Sequence, residues 1–181
     1  MYLISVLSGI ALVHLRNPMA LRFEHRIVGA AQTSKIVVAN NQGNKVQAAL
    51  LDASGNLLQS AVPKTVMGLS VVMPYPWVAF QGWVGGIVSV RWNGSSRFNT
   101  VHSAIYYVLT LLLQLAGFSL AAGAGVNVGL SMFKPAEYYT GTKWLGLFPK
   151  EAVIDAFRIY ALVIPLFIVG SLWEFLSTWN V

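Results

Sequence analysis

The sequence predicts an all-α fold: a polytopic membrane helix bundle with about four transmembrane segments and a surface-lying amphipathic region. Three observations predict it. Phe98 to Phe133 is a run of 36 residues without a formally charged side chain, fenced by Arg97 and Lys134. About 20 apolar residues suffice to cross a bilayer as a helix. Only 10% of the chain is charged and 56% is hydrophobic, whereas soluble domains carry about 25% charged residues. Mean hydropathy is +0.62, and the remaining charge is gathered between apolar runs.

Taken in order, residues 1–181 read as one membrane domain. Residues 1–15, MYLISVLSGIALVHL, lack the basic n-region of a cleaved signal peptide. They are expected to be a retained first span, or else a helix lying in the interface. Residues 16–64 hold six of the twelve basic residues and are expected to form an amphipathic region on the cytoplasmic side. Residues 65–90 carry no charge but contain Pro74 and Pro76. Two prolines so close remove two backbone donors, so a broken helix or a span from about Trp77 is expected. Residues 102–130 form the third span and 153–179 the fourth. The intervening MFKPAEYYTGTKWLGLFPKEA is expected to be an aromatic-rich interfacial loop.

The net charge of +6 comes from loop residues, which points to anionic headgroups and topology rather than nucleic acid. With four spans, nine basic residues fall on one side and Arg91 with Arg97 on the other. This places both longer loops in the cytoplasm and both termini outside. The absence of cysteine removes disulfides and thiol chemistry.

Small residues recur every fourth position at Gly82 and Gly86, and again at Gly117, Ala121, Gly125 and Gly129. That spacing lets another helix bring its backbone close, so both faces are expected to pack helices or engage a partner. Glu174 follows fifteen uncharged residues, and an ionisable residue inside a span is a functional hypothesis. An aromatic belt with Trp173 and Trp179 at the outer boundary is the alternative. Glu151, Asp155 and Arg158 share one helical stripe at three- and four-residue spacing. Gln114 and Asn127 are expected to be interhelical hydrogen bonders. Glu24-His25-Arg26 reads as a solvated face. No metal site is signalled, and no cofactor is indicated; His14 and His102, near span ends, are weak candidates for haem or chlorophyll ligation.

No Walker-type loop, HExxH or GxSxG occurs. AGAGVNVG ends a hydrophobic span rather than opening a helix after a strand, so it is not a dinucleotide fingerprint.

Residues Met67 to Trp179 contain FQGWVGGIVS before a span, GFSLAAGAGVNVG at a helix end, and IPLFIVGSLWEF in the last helix. In these features the chain resembles the stage II sporulation protein M family of integral membrane proteins. The resemblance implies that Glu174 is the carboxylate closing the last helix, and that Gly117, Gly123 and Gly125 form the glycine-rich helix end. His102-Ser103 stands where the family has histidine–glycine. It further implies a helical membrane protein without known catalytic activity, working within a membrane complex.

The expectation is therefore a non-enzymatic scaffold or subunit of a larger membrane assembly, in a bacterial inner or energy-transducing membrane. Its partners would be the lipid bilayer and other membrane subunits or further copies of itself, not nucleic acid. A small transporter or channel subunit, with Glu174 or Asp155 on the path, stays open. So does an accessory subunit of a respiratory or photosynthetic complex.

Overall fold

Helix α7 (Val101–Ser131) forms where the uncharged run is longest. A computed structural model of the chain describes residues 1–90, 100–137 and 139–179. Arg91 and Arg97, which enter the topology count, and Phe98 lie outside the described residues. Thr100 caps α7: its hydroxyl accepts from the Ser103 amide at 3.1 Å, and Ser103 Oγ accepts from the Thr100 amide at 3.1 Å. The serine at the departure from the family pattern thus closes a capping box.

The described residues are helical apart from turns and one short hairpin. Helix α1 (Tyr2–His14) is followed by α2 (Pro18–Gln32), α3 (Lys35–Asn41) and α4 (Lys45–Gly55). A π-helical stretch (Asn56–Ala61) then leads into α5 (Val62–Gly68). Pro63 accounts for the widening, because it has no N–H for the carbonyl one turn back and its ring crowds that carbonyl. After a turn come α6 (Pro74–Ser89), α7, the strands β1 (Lys143–Trp144) and β2 (Phe148–Pro149), and α8 (Lys150–Leu176). The strands pair antiparallel. Leu145 and Gly146 both take positive φ, 54° and 71°, as a type I′ turn requires.

Helices α7 and α8 are each long and apolar enough to cross a membrane, and α1 with α2 pass that test only as a pair bent by 103°. The chain is thus a mostly helical protein with two apolar helices compatible with a membrane location. Helix α6 has 16 residues, about 24 Å at 1.5 Å per residue, short of the roughly 30 Å hydrocarbon core. Its prolines do not kink it. Pro74 opens the helix, in the first turn, where the missing N–H has no intrahelical role. The break lies before it, at residues 69–73.

Two assemblies organise the helices. In the first, α4, the π stretch and α5 form one rod against α7 and α8. Thr65 meets Ala121 and Gly125, and Leu69 meets Gly129, so rod and α7 run parallel. Phe167 of α8 lies on Gly117 and Leu113 lies beside Gly170, so α8 runs antiparallel to α7. Ala61, Ala121, Val163 and Phe167 are the buried centre. The sequence reading kept residues 16–64 on the surface. From Lys45 onward they instead pack lengthwise against both long helices, through Ala48, Ala49, Ala53 and Ala61, all buried.

In the second assembly α1 packs parallel to α6. Gly82 faces the Tyr2 carbonyl, Gly86 faces Val6 and Gly9 faces Trp83 and Ile87. Helix α2 closes against this pair: Phe23 lies 5.1 Å from the Trp83 ring and 6.2 Å from the Phe80 ring. Glu24, expected on a solvated face, is buried at 7% exposure, while His25 and Arg26 are exposed.

Candidate functional site

Polar side chains from three helices converge inside the first assembly. Glu174 sits in the last turn of α8 and is half-buried. Gln114 Nε2 of α7 donates to Glu174 Oε2 at 2.9 Å. The Tyr106 hydroxyl, one α7 stretch lower, donates to the Glu174 backbone carbonyl at 2.6 Å. That carbonyl is among the last four of α8, which have no intrahelical donor, so Tyr106 satisfies an otherwise orphaned group. Tyr106 is itself buried and stacks on Trp173, centroids 6.3 Å apart.

One turn above Glu174, Ser171 is 1% exposed. Its hydroxyl donates to Asp52 Oδ2 of α4 at 2.7 Å, and Asn56 Nδ2 donates to the same oxygen at 2.8 Å. Asp52, Asn56, Ser171, Glu174, Gln114 and Tyr106 thus form a polar belt that ties the rod to α8 and α8 to α7. Two carboxylates from different helices share this belt. The arrangement can do two things chemically: fix the register of three helices, or hold a proton or cation.

Gln114, expected to bond between helices, finds its partner in Glu174; that pairing was not foreseen, and Asp52 was missed. It stands in QAALLDASGN, a stretch with a lysine at its head, and reads there as ordinary surface charge. The available signal was its four-residue spacing to Asn56 beside Ala48, Ala49 and Ala53, which puts polar and small residues on one face.

A second node lies higher. Thr65 Oγ1 donates to the Ala121 carbonyl at 2.8 Å, and Tyr160 Oη lies 2.7 Å from Thr65 Oγ1. Beside it Lys64 is buried, with Nζ 3.8 Å from the centroid of the Phe118 ring. A cation over an aromatic face offsets part of the cost of its burial.

The other candidate residues do not join the belt. Asp155 and Arg158 pair at 2.8 Å with Arg158 75% exposed, and such pairs contribute about 1 kcal/mol or less. Asp155 lies nineteen residues from Glu174, about 28 Å along the helix. Glu151 leaves their stripe and accepts from the Thr140 amide at 3.2 Å and from its hydroxyl. Asn127 is no interhelical bonder: it is exposed, near Lys134 and Glu137 at the end of α7. His14 and His102 are both exposed, and the His102 ring meets Trp179 edge-on at 5.4 Å. Among the described residues, no group of three or more histidine, cysteine or acidic side chains could hold a metal ion.

The small-residue faces are occupied within the chain. A Cβ on Gly117 would meet Phe167, one on Gly125 would meet the Thr65 backbone, and one on Gly129 would meet Leu69. Ala121 packs with Ala61. Gly123, which the family resemblance adds, lies on the opposite face with open space around it. Comparison with protein-family models, with curated proteins and with solved structures returns no match.

Proposed function

We propose that the chain is a non-enzymatic integral membrane subunit of a larger membrane protein assembly, of the kind its resemblance to the stage II sporulation protein M family implies. The observation that carries this reading is the use made of Glu174. The carboxylate at the end of the last helix accepts from Gln114, and its own backbone carbonyl accepts from Tyr106. Both bonds join α8 to α7, and buried polar pairs of this sort fix register at a modest gain of about 1 kcal/mol each. The residue serves as a clasp between helices, and the assembled bundle is what a partner meets. A bacterial inner or energy-transducing membrane is the setting this reading assumes.

A transporter or channel subunit is the second reading, favoured by the Asp52 carboxylate in the same belt. Glu174→Gln separates the two. Glutamine keeps an acceptor for Gln114, so the clasp reading expects a melting temperature in detergent unchanged from the parent and no change in co-purifying proteins. The transport reading expects proton or cation flux in liposomes with the parent protein, abolished in the variant.

The packing of residues 45–68 also bears on topology. As one rod they make 24 residues, about 36 Å long, enough to cross. If α6, α7 and α8 then alternate in direction, the residues ahead of Lys45 and the segment between α6 and α7 share a side with the C terminus. That side carries six loop basic residues, and Lys45 at the foot of the rod, against Lys134, Lys143 and Lys150 opposite, which favours the cytoplasm for it. The C terminus thereby moves from outside to inside. A C-terminal reporter is expected to be active only in its cytoplasmic form; a reporter active only outside contradicts the arrangement.

A further inference from the structure

Residues 1–51 hold five lysine and arginine side chains and one acidic side chain, Glu24. Helix α2 keeps the two signs apart. Arg22, His25 and Arg26 are exposed, and the four-residue spacing sets the two arginines on one face. Glu24 is turned to the buried face, and its Oε2 accepts no hydrogen bond. Among the described residues the ion pair found joins Asp155 to Arg158, so no carboxylate there neutralises the arginines of α2. Arg22 Nε donates to the Pro18 carbonyl at 3.1 Å, which leaves both terminal nitrogens of the guanidinium for a ligand.

Arg16 stands in the turn from α1 to α2. The Asn17 amide donates to the Leu12 carbonyl at 2.9 Å, and the Arg16 amide to the Val13 carbonyl at 3.0 Å. These are the two bonds of a Schellman motif, with Arg16 in the left-handed position that glycine ordinarily fills. Its φ is 52° and its side chain is exposed. An arginine there works against the backbone, so the turn alone does not account for it. Apolar side chains flank these cations: Leu15 is 77% and Met19 65% exposed. Helix α1 exposes Leu3, Ile4 and Leu7 as well. Helix α2 is bent 103° from α1, so with α1 along the bilayer normal, α2 lies in the plane of the surface. A free anion accounts for the arginines alone. A lipid surface accounts for the arginines and their apolar neighbours together.

We propose that the elbow between α1 and α2 docks anionic phospholipid: Arg16, Arg22 and Arg26 hold the headgroup phosphates, and Leu15 and Met19 enter the acyl boundary. The proposal rests on the membrane setting and goes beyond the subunit reading. The elbow lies on the side that the basic residues favour as cytoplasmic, where the leaflet surface is negatively charged.

The test titrates the full chain in neutral detergent with phosphatidylglycerol or phosphatidylcholine of the same acyl chains, and reads retained lipid by native mass spectrometry. The parent is expected to keep phosphatidylglycerol in preference. Arg22→Gln combined with Arg26→Gln should weaken that retention about 25-fold, at about fivefold per cation, and leave phosphatidylcholine unchanged. Arg16→Gly separates ligand from fold. Its retention should fall about fivefold while the melting temperature holds or rises, because glycine suits the left-handed position. Lys143→Gln combined with Lys150→Gln, on the opposite side, should leave the preference intact. A preference undiminished in the double arginine variant, or lost equally in the lysine variant, overturns the proposal. So does release of phosphatidylglycerol by inorganic phosphate or by polyglutamate where chloride at equal ionic strength has no effect, which assigns the face to a soluble anion or an acidic protein. Equal retention of the two lipids by the parent, or retention of neither, overturns it too. If that parent also stays monodisperse without detergent, the membrane setting falls with it.

Discussion

Gly125→Leu is expected to drive α5 off α7 while leaving the protein inserted in the membrane. A Cβ at this position would run into the Thr65 carbonyl oxygen and lie 2.9 Å from Thr65 Cα. The obstruction is backbone, so no rotamer change relieves it. The Thr65 hydroxyl bond to Ala121 and its contact with Tyr160 are lost with the separation. Overpacking costs about 1–3 kcal/mol where side chains can shift, and a backbone obstruction exceeds that range. The expected readout is a large fall in melting temperature in detergent with unchanged membrane fractionation. Gly123→Leu is the control: Gly123 has nothing within 4 Å of its Cβ position, so its melting temperature should hold. Equal behaviour of the two variants would mean that the α5–α7 contact is not what holds the bundle.

Gly86→Leu is expected to be the corresponding lesion in the second assembly. Its Cβ would meet the Val6 carbonyl oxygen, with Val6 C at 2.9 Å and Cα at 3.0 Å. In lipid, helix association depends on such close packing rather than on a hydrophobic drive, so α1 should detach from α6. Because Val13, Ala20, Ile87 and Val90 form one buried cluster, α2 should loosen with it. Limited proteolysis checks this: faster cleavage between α1 and α3 is expected in Gly86→Leu, and cleavage at the parental rate contradicts it. The prediction is separable from the first, since α7 and α8 keep their contacts with the rod.

Much of this fold was legible because bilayer-spanning helices announce themselves by uncharged length. Helices α7 and α8 match the apolar runs to within a few residues, and a Cβ at Gly82, Gly86, Gly117, Gly125 or Gly129 would meet a neighbouring helix. The same rule hid the rod at residues 45–68. Lys45, Asp52 and Lys64 interrupt its hydropathy, yet Asp52 is bonded by Ser171 and Asn56, and Lys64 lies over Phe118. Asn56 is only four positions from Asp52, but Ser171 and Phe118 lie more than fifty positions from the residues they contact, beyond any local pattern. Pro74 and Pro76 were read as marking a broken helix or the approach to a span from about Trp77; a proline's effect depends on whether it falls within a helix or at its start. Here Pro74 opens α6. At the belt, Glu174 stood out because its neighbours are apolar, whereas Asp52 did not because its neighbours are polar. Asn127 was misjudged because a polar residue on a long helix has two faces to choose from, and the adjacent glycines took the inner one.

The most direct test of the proposed role is quantitative co-purification of the tagged full chain from its own membranes in mild detergent, parent beside Gly125→Leu. The account predicts a membrane protein recovered in fixed stoichiometry with the parent, or a self-association of fixed order, and its loss from the variant despite equal insertion. A parent protein recovered alone as a monomer, or a partner retained undiminished by a Gly125→Leu protein of unchanged melting temperature, would contradict it.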